Sequence, residues 1–313
     1  MKMLRGVLKW LMVVLFVVMA AVAFQIYRNS GDKALPNAPL EGLRVASYNV
    51  HYIVMGQATG PWSRGDWGRR RGPLDLALKE MDADVVAFQE MESFTRGGVS
   101  RDNLALDWLL ERNPDSAAAA IGDPVEFPST QPIFYKTERL ELLEQGWFFF
   151  SDTPDTIYSR TFNGSYPAYA SWARFRERGS QTEFRIVNIH TDYASRSNRL
   201  RSIDLVAARV APWLAAKETV MVVGDMNARR GDRGVEILEN AGFTIAPVEG
   251  ATYHFNRGIN LFSAIDHIAW AGDVILSGLP VVLRHRFDGE WPTDHYPVVV
   301  DFLLPQRPRQ DAE

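Results

Sequence analysis

Val220-Met221-Val222-Val223-Gly224-Asp225-Met226-Asn227 sets four apolar residues, three of them β-branched, almost directly against an acid and an amide. Such a run fits a strand buried on both faces, and a carboxylate at its end is costly to bury without a partner. The same juncture recurs at Tyr48-Asn49-Val50-His51, Phe88-Gln89-Glu90, Val187-Asn188-Ile189-His190, Ile265-Asp266-His267 and Thr293-Asp294-His295. One such ending is an ordinary turn signal, because Asp and Asn often begin turns. Six of them, gathered at one edge of a sheet, would make a cleft of oxygen and imidazole groups suited to a hard divalent cation and to proton transfer.

Around these endings, short apolar runs alternate with helix-like stretches. Strands are expected at Leu43–Tyr48, Asp84–Phe88, within 131–150, at Ala168–Arg176, Glu183–His190, Val220–Val223, Ile265–Trp270, Val274–Ser277, Val281–Arg284 and Pro297–Phe302. Helical spacing marks Leu74–Met81, Arg101–Arg112, Ser197–Ala215 and Gly234–Ala241, while 151–167 reads as a long loop. The spans 131–190 and 265–302 leave no room for a crossover helix between every pair of strands, so mixed sheets are expected rather than a strictly parallel one. There is no internal repeat, no Gly-x-Gly-x-x-Gly and no Walker sequence, so nothing supports a nucleotide-cradling glycine loop. Phe148–Phe150 reads as core rather than as a membrane-contact patch.

The chain has 313 residues, 46% hydrophobic and 23% charged, enough for one domain with a self-sufficient core. It contains no cysteine, which excludes disulfides, a thiol nucleophile and thiolate metal ligands, and leaves oxygen or imidazole to hold any metal. The formal charge of −4 conceals two unlike parts. Residues 1–35 carry five bases and one acid, leaving 29 bases against 37 acids in the remainder. That imbalance disfavours long-range attraction to a duplex or an anionic surface, without excluding a local basic patch.

Trp10–Tyr27 is uncharged, preceded by Lys2, Arg5 and Lys9 and followed by Arg28. Residues 1–28 read as a signal anchor spanning the inner membrane of a bacterial-type cell once, with the positive flank inside and the remainder on the periplasmic or extracellular side. A cleaved signal peptide is the competing reading, with Ala21-Val22-Ala23 a suitable site and a secreted product; a buried core helix is the third. Residues 29–40 are expected as a tether, 41–304 as the catalytic domain and 305–313 as a flexible tail.

The ordered set of Asn49, Gln89-Glu90, Gly224-Asp225-Met226-Asn227 and Thr293-Asp294-His295 resembles the endonuclease/exonuclease/phosphatase superfamily, over nearly all of 43–303. The resemblance implies a four-layer α/β sandwich, two mixed β-sheets face to face with helices outside, and a site at the mouth between the sheets. It implies Mg²⁺, with Mn²⁺ a substitute, held by Glu90 with Asn49 and Asp294. It further implies Asp225 and Asn227 beside the attacking water and the phosphate, and His295 as the catalytic histidine oriented by Asp266. His295 could serve as a base on water or as a cation stabilising the phosphorane. His190 matches the histidine that the deoxyribonuclease, sphingomyelinase and 5-phosphatase branches place near the leaving group, which turns the reading away from abasic-site repair. The cysteine-containing signature of the 5-phosphatases is missing.

Substrate contacts are expected from Asn49, His51, Arg70 and His254. Arg70 belongs to the cluster Arg64, Arg69, Arg70 and Arg71, interleaved with Trp62 and Trp67, which could grip phosphates or be a solvated loop leading into a helix. His51 could equally be a rim residue, His254 precedes the Asp266 strand and could contribute to the cleft, and His267 and His285 read as structural or exposed. The expected activity is a membrane-tethered, Mg²⁺-dependent phosphoesterase, most consistent with phosphodiester hydrolysis on a lipid headgroup, small molecule or nucleic acid, with no obligate protein partner. An exported deoxyribonuclease or endonuclease and a non-catalytic binding module of the same fold are the alternatives.

Overall fold

The structure, a computed structural model, describes residues 2–95 and 101–305. The expected tail, beyond Pro305, lies outside the described residues. The chain begins with α1 (Lys2–Asn29), β1 (Gly42–Asn49), β2 (Ile53–Val54), α2 (Arg64–Met81), β3 (Val85–Gln89), β4 (Ser93–Phe94), α3 (Leu104–Arg112) and β5 (Ser116–Ala119). It continues through β6 (Ile133–Lys136), β7 (Leu140–Phe149), β8 (Tyr169–Glu177), β9 (Glu183–His190), α4 (Arg196–Ala215) and β10 (Thr219–Asp225). It closes with α5 (Arg233–Asn240), β11 (Thr244–Ile245), β12 (Asp266–Ala271), β13 (Ile275–Leu276), β14 (Val281–Val282) and β15 (Val298–Leu303).

Two mixed sheets result. The first has the order β13-β15-β1-β3-β6-β5, with β14 also paired to β15; the second has the order β11-β12-β10-β9-β8-β7. All eight residues of β1 and all seven of β10 are buried, as expected for strands covered on both faces. Three apolar cores account for that covering. Between the sheets, Leu43, Val45, Val85 and Ile133 meet Phe175, Ile186, Met221 and Ile268. Outside the first sheet, Val86, Phe88 and Val299 pack on Leu74, Ala77 and Met81 of α2 and Leu106 and Leu109 of α3. Outside the second, Val187, Val220 and Val222 pack on Ile203, Val206 and Val210 of α4 and Val235 and Leu238 of α5. Helix, sheet, sheet, helix is thus the layer order, and each fully buried aliphatic or aromatic side chain contributes roughly 1.5–3 kcal/mol to it. Phe148 and Phe150 lie in the third core, as their sequence suggested.

The sequence and the structure differ in two places that bear on the site. Helix α2 begins ten residues before the expected Leu74, because Ser63 caps it: its Oγ accepts the Asp66 N–H at 3.1 Å. Gly65, Gly68, Gly72 and Pro73 gave the first half of this helix the look of a loop. The basic cluster therefore stands on helical turns. The second difference is the expected tether. Asn29 is 4% exposed, donates from Nδ2 to the Leu261 carbonyl at 3.1 Å and accepts the Ala251 N–H at 2.9 Å. Asn260 Nδ2 reaches Ser30 Oγ at 2.9 Å, Arg284 Nη1 donates to the Gly31 carbonyl at 2.8 Å, and Arg44 Nη2 donates to the Pro36 carbonyl at 2.7 Å. These bonds lay residues 29–36 along the domain as a strap.

Asp75 joins α2 to α3 by accepting from Lys79 Nζ at 2.7 Å and from Asn113 Nδ2 at 2.9 Å, with Arg112 Nε at 3.5 Å. Burial alone would raise its pKa, but Lys79, Asn113 and Arg112 outweigh it and hold the carboxyl below its ordinary value. A depressed folded-state pKa stabilises the protein above the unfolded-state value and loses that contribution as pH falls through the folded-state value. Urea melts of the wild type and Asp75→Asn should therefore differ most near neutral pH, with the wild type more stable, and converge in acid.

Candidate active site

The topology explains why the polar strand ends meet. β1 runs parallel to β3, and β9 parallel to β10, so each pair delivers its last residues to the same edge. β12 and β15 run antiparallel to β10 and β1 and begin at that edge. Asn49 is registered against Gln89, and Asp225 against both His190 and Asp266.

Asn49 closes the gap between the sheets. Its Nδ2 donates to Glu90 Oε1 at 3.0 Å and to Asp225 Oδ2 at 3.2 Å, while its Oδ1 accepts the His51 N–H at 3.1 Å. The side chain thus holds the two carboxylates through its amide nitrogen. Below it, Gln89 Nε2 donates to Asn188 Oδ1 at 2.8 Å, and Asn188 Nδ2 donates to the Phe88 carbonyl at 2.7 Å.

Two imidazoles flank Asp225. His295 Nδ1 lies 3.0 Å from Asp266 Oδ2, and its Nε2 lies 3.7 Å from Asp225 Oδ2. His190 Nε2 lies 3.7 Å from both Glu90 Oε1 and Asp225 Oδ2, and its Nδ1 is 3.2 Å from the Tyr166 hydroxyl. Burial disfavours a charged His295, yet Asp266, with Asp225 and Asp294 adding, overrides it and brings the pKa up to about 10. Burial pushes Asp225 the other way, above the ordinary carboxylate range, with Asp266 reinforcing the rise. Glu90 stays low despite its burial, because His51, His190 and the Asn49 amide favour its anion.

Among the described residues, Asp225, Asp266 and His295 bring ligand atoms within 4.8 Å of one another. Two carboxylates and an imidazole suit a divalent cation, and Asp266 Oδ1 is buried without a hydrogen-bond partner, an acceptor that a cation would satisfy. This trio differs from the expected set of Glu90, Asn49 and Asp294. Glu90 stands alongside it, held by Asn49, whereas half-buried Asp294 stands in the wall of a neighbouring groove, accepting from Thr293 Oγ1 at 3.2 Å.

Asn227, at φ 44°, donates its backbone N–H to Asp225 Oδ1 at 2.9 Å and its side-chain amide to the Thr191 carbonyl at 2.9 Å. His51 stacks on Trp62, ring centroids 3.7 Å apart, at the rim. Two expected substrate contacts are internal instead. Arg70 is 3% exposed, and its guanidinium donates to the carbonyls of Val50, His51, Tyr52 and Pro292. His254 is fully buried against Tyr296, with Nδ1 accepting the Gly258 N–H, and burial pushes its pKa down to about 3. Both residues brace the loops that carry His51 and Asp294. Sequence reasoning missed Tyr166, within the stretch read as loop, and Asp192, whose carboxylate gathers the N–H groups of Ser165, Ala194 and Ser195 behind His190.

The fold and site define a phosphoesterase-type sandwich with an Asp/Asp/His centre fit for a divalent metal. The chain belongs to the Endonuclease/Exonuclease/phosphatase family, whose profile matches residues 46–295. Among solved structures it is similar to an endonuclease/exonuclease/phosphatase family protein from Bacteroides thetaiotaomicron, at 23% identity over 84% of this chain and 98% of the other, with a TM-score of 0.69. A mannosyl-6-phosphatase from the same organism gives 22% identity over 84% and 100%, with a TM-score of 0.70. D. rerio TDP2 complexed with single strand DNA product gives 17% over 83% and 98%, with a TM-score of 0.56. At these identities the likeness is one of fold. No curated protein sequence matches the chain.

Gly224 sets the aim of Asp225. Its φ is +147°, and a Cβ there would lie 1.9 Å from the Ile189 carbonyl oxygen, so no L side chain fits without moving β9 or β10. Gly224→Ala should destabilise the protein by more than about 3 kcal/mol in urea unfolding, whereas Gly231→Ala, a positive-φ position in open space, should cost no more than about 1–2 kcal/mol.

Proposed function

We propose that the chain is a Mg²⁺-dependent phosphodiesterase in which water attacks phosphorus directly, and that single-stranded nucleic acid is its substrate. The observation that carries the chemistry is the placement of two differently partnered imidazoles on either side of Asp225, one against a carboxylate and one against a tyrosine hydroxyl. The Asp266 partnership favours the protonated form of His295, which suits stabilisation of charge on the phosphorane better than removal of a proton from water. Asp225 Oδ2, within 3.7 Å of both rings, then orients the water and takes its proton. His190, without a carboxylate in hydrogen-bond range, delivers a proton to the leaving oxygen. When bound, Mg²⁺ would supply Lewis-acid stabilisation of the phosphoryl oxygens; a protonated His295 has no lone pair for a cation, so within the Asp225, Asp266 and His295 group the two carboxylates would hold it.

The nucleic-acid reading draws on the fold likeness to a protein solved with a single strand DNA product and on rings at the rim. Trp62 stacks with His51, Tyr52 packs on Phe94, and Tyr193 is 68% exposed, surfaces on which bases can stack. The acidic balance of the domain favours a short or single strand over a wrapped duplex. A lipid-headgroup diester is the second reading, favoured by the union of α1 with the loop beside the groove.

Full-length protein should cut single-stranded DNA in the presence of Mg²⁺, stop with EDTA and recover when Mg²⁺ is restored. Glu90→Ala and His295→Ala should each lower kcat by about 10²–10⁴-fold. Parallel assays on plasmid, glycerophospholipid diesters and phosphomonoesters rank the substrates. Turnover indifferent to EDTA and to both substitutions would overturn the mechanism, and failure on every substrate would favour a binding module.

A further inference from the structure

We propose that the rim formed by Tyr27, Arg28, Ile259 and Phe262 seats on the surface of the bilayer that α1 enters, so that the groove beside the active site opens at the membrane face. Arg5–Asn29 contains an 18-residue apolar window with a mean hydropathy of 2.6, none of it buried. Its 25 residues extend about 37 Å as a helix, more than the roughly 30 Å of a hydrocarbon core. Lys2, Arg5 and Lys9 at its start against Arg28 at its end orient the catalytic domain outward.

The distal end of this helix is fixed to the domain. Asn29 is bonded to Leu261 and Ala251, and Ser30 to Asn260. Residues of the same loop, Ile259 and Leu261, line a groove of about 580 Å³ together with Tyr253 and Asp294, the residue next to His295. One short segment therefore forms the wall of the groove on one side and the socket of the helix on the other. Two hydrogen-bonded junctions leave the domain little freedom to swing about the helix end.

The surface beside that junction has the chemistry of an interfacial contact. Tyr27 is 79% exposed, and Ile259 and Phe262 are 38% exposed each; aromatic and aliphatic side chains at this level partition into the headgroup zone. Arg28, Arg229 and Arg257 are exposed around them, with the Arg229 guanidinium 5.0 Å over the Phe262 ring. These bases stand out from an otherwise acidic domain and match the charge of an anionic leaflet. A soluble protein partner would not require this patch to adjoin the end of an apolar helix, whereas a bilayer does.

Because the chain has no cysteine, a single one can be placed and labelled. Full-length Phe262→Cys and Val125→Cys would carry an environment-sensitive fluorophore in vesicles of phosphatidylcholine and phosphatidylglycerol. Val125, 60% exposed, lies between β5 and β6 at the sheet edge remote from α1. The label at 262 should emit to the blue, lose most of its signal to a lipid-borne nitroxide and resist aqueous iodide; the label at 125 should do the reverse. Pairing Phe262→Cys with Asn29→Ala and Asn260→Ala should shift the 262 label toward water while the chain stays in the membrane fraction. Equal, water-like behaviour of the two labels would overturn the proposal, as would a 262 label unmoved by the strap substitutions or recovery of the chain in soluble form cut after Ala23. The reading involves no turnover, so a Glu90→Ala background should leave the fluorescence pattern intact, which separates failure of seating from failure of the catalytic assignment.

Discussion

At the mouth of the site a primary amide spans the gap between the two sheets. Asn49, at the end of a strand in the first sheet, donates to Glu90 beside it and to Asp225 of the second sheet. Buried carboxylates so close together repel, and an amide with two hydrogens and no charge can hold both without neutralising either. The Gln89–Asn188 pair beneath it fixes the same two sheets at the next level, with Asn188 also donating to the Phe88 and Gln131 carbonyls. The apolar core between the sheets tolerates many rotations of one layer over the other; directional bonds at the mouth select one.

The two histidines illustrate how environment divides the labour of like groups. His295 faces the carboxylate of Asp266, whose backbone N–H donates to the Thr252 hydroxyl, whereas His190 faces Tyr166 from a loop. Phenol and carboxylate thus give the two rings different partners, and the long segment before β8 is kept in place by Asp192 to supply that phenol. Site and loop are thus one unit, though the loop contributes no regular element to the fold.

Much of this was legible in the sequence. Apolar runs identify β1, β3, β9 and β10, and parallel neighbours finish at the same edge, so Asn49, His190 and Asp225 at their ends come together. Asp266 and His295 stand at or just before the starts of antiparallel strands and meet them from the opposite direction. The start of α2 was not, since three glycines and a proline mask a helix that owes its first turns to the Ser63 cap and to packing of Trp67 and Arg70. Arg70 and His254 carried the right chemistry for substrate and yet serve inside the protein. Their partners, Pro292 for one and Tyr296 for the other, lie far away in the chain, and residue type alone cannot reveal that a donor is already spent. Tyr166 gave no signal, because nothing local distinguishes a tyrosine that meets a histidine from one that does not. The strap at 29–36 has the composition of a linker and is held by backbone carbonyls, which composition does not report.

Asp225 and Asp266 face each other directly across an antiparallel ladder, an arrangement that natural sheets ordinarily fill with apolar or oppositely charged pairs. Here both acids are buried with His295 set between them, and one of their oxygens has no hydrogen-bond partner. A cation held at that oxygen would tie two strands of one sheet together, so its binding would add to the durability of the scaffold as well as to the chemistry.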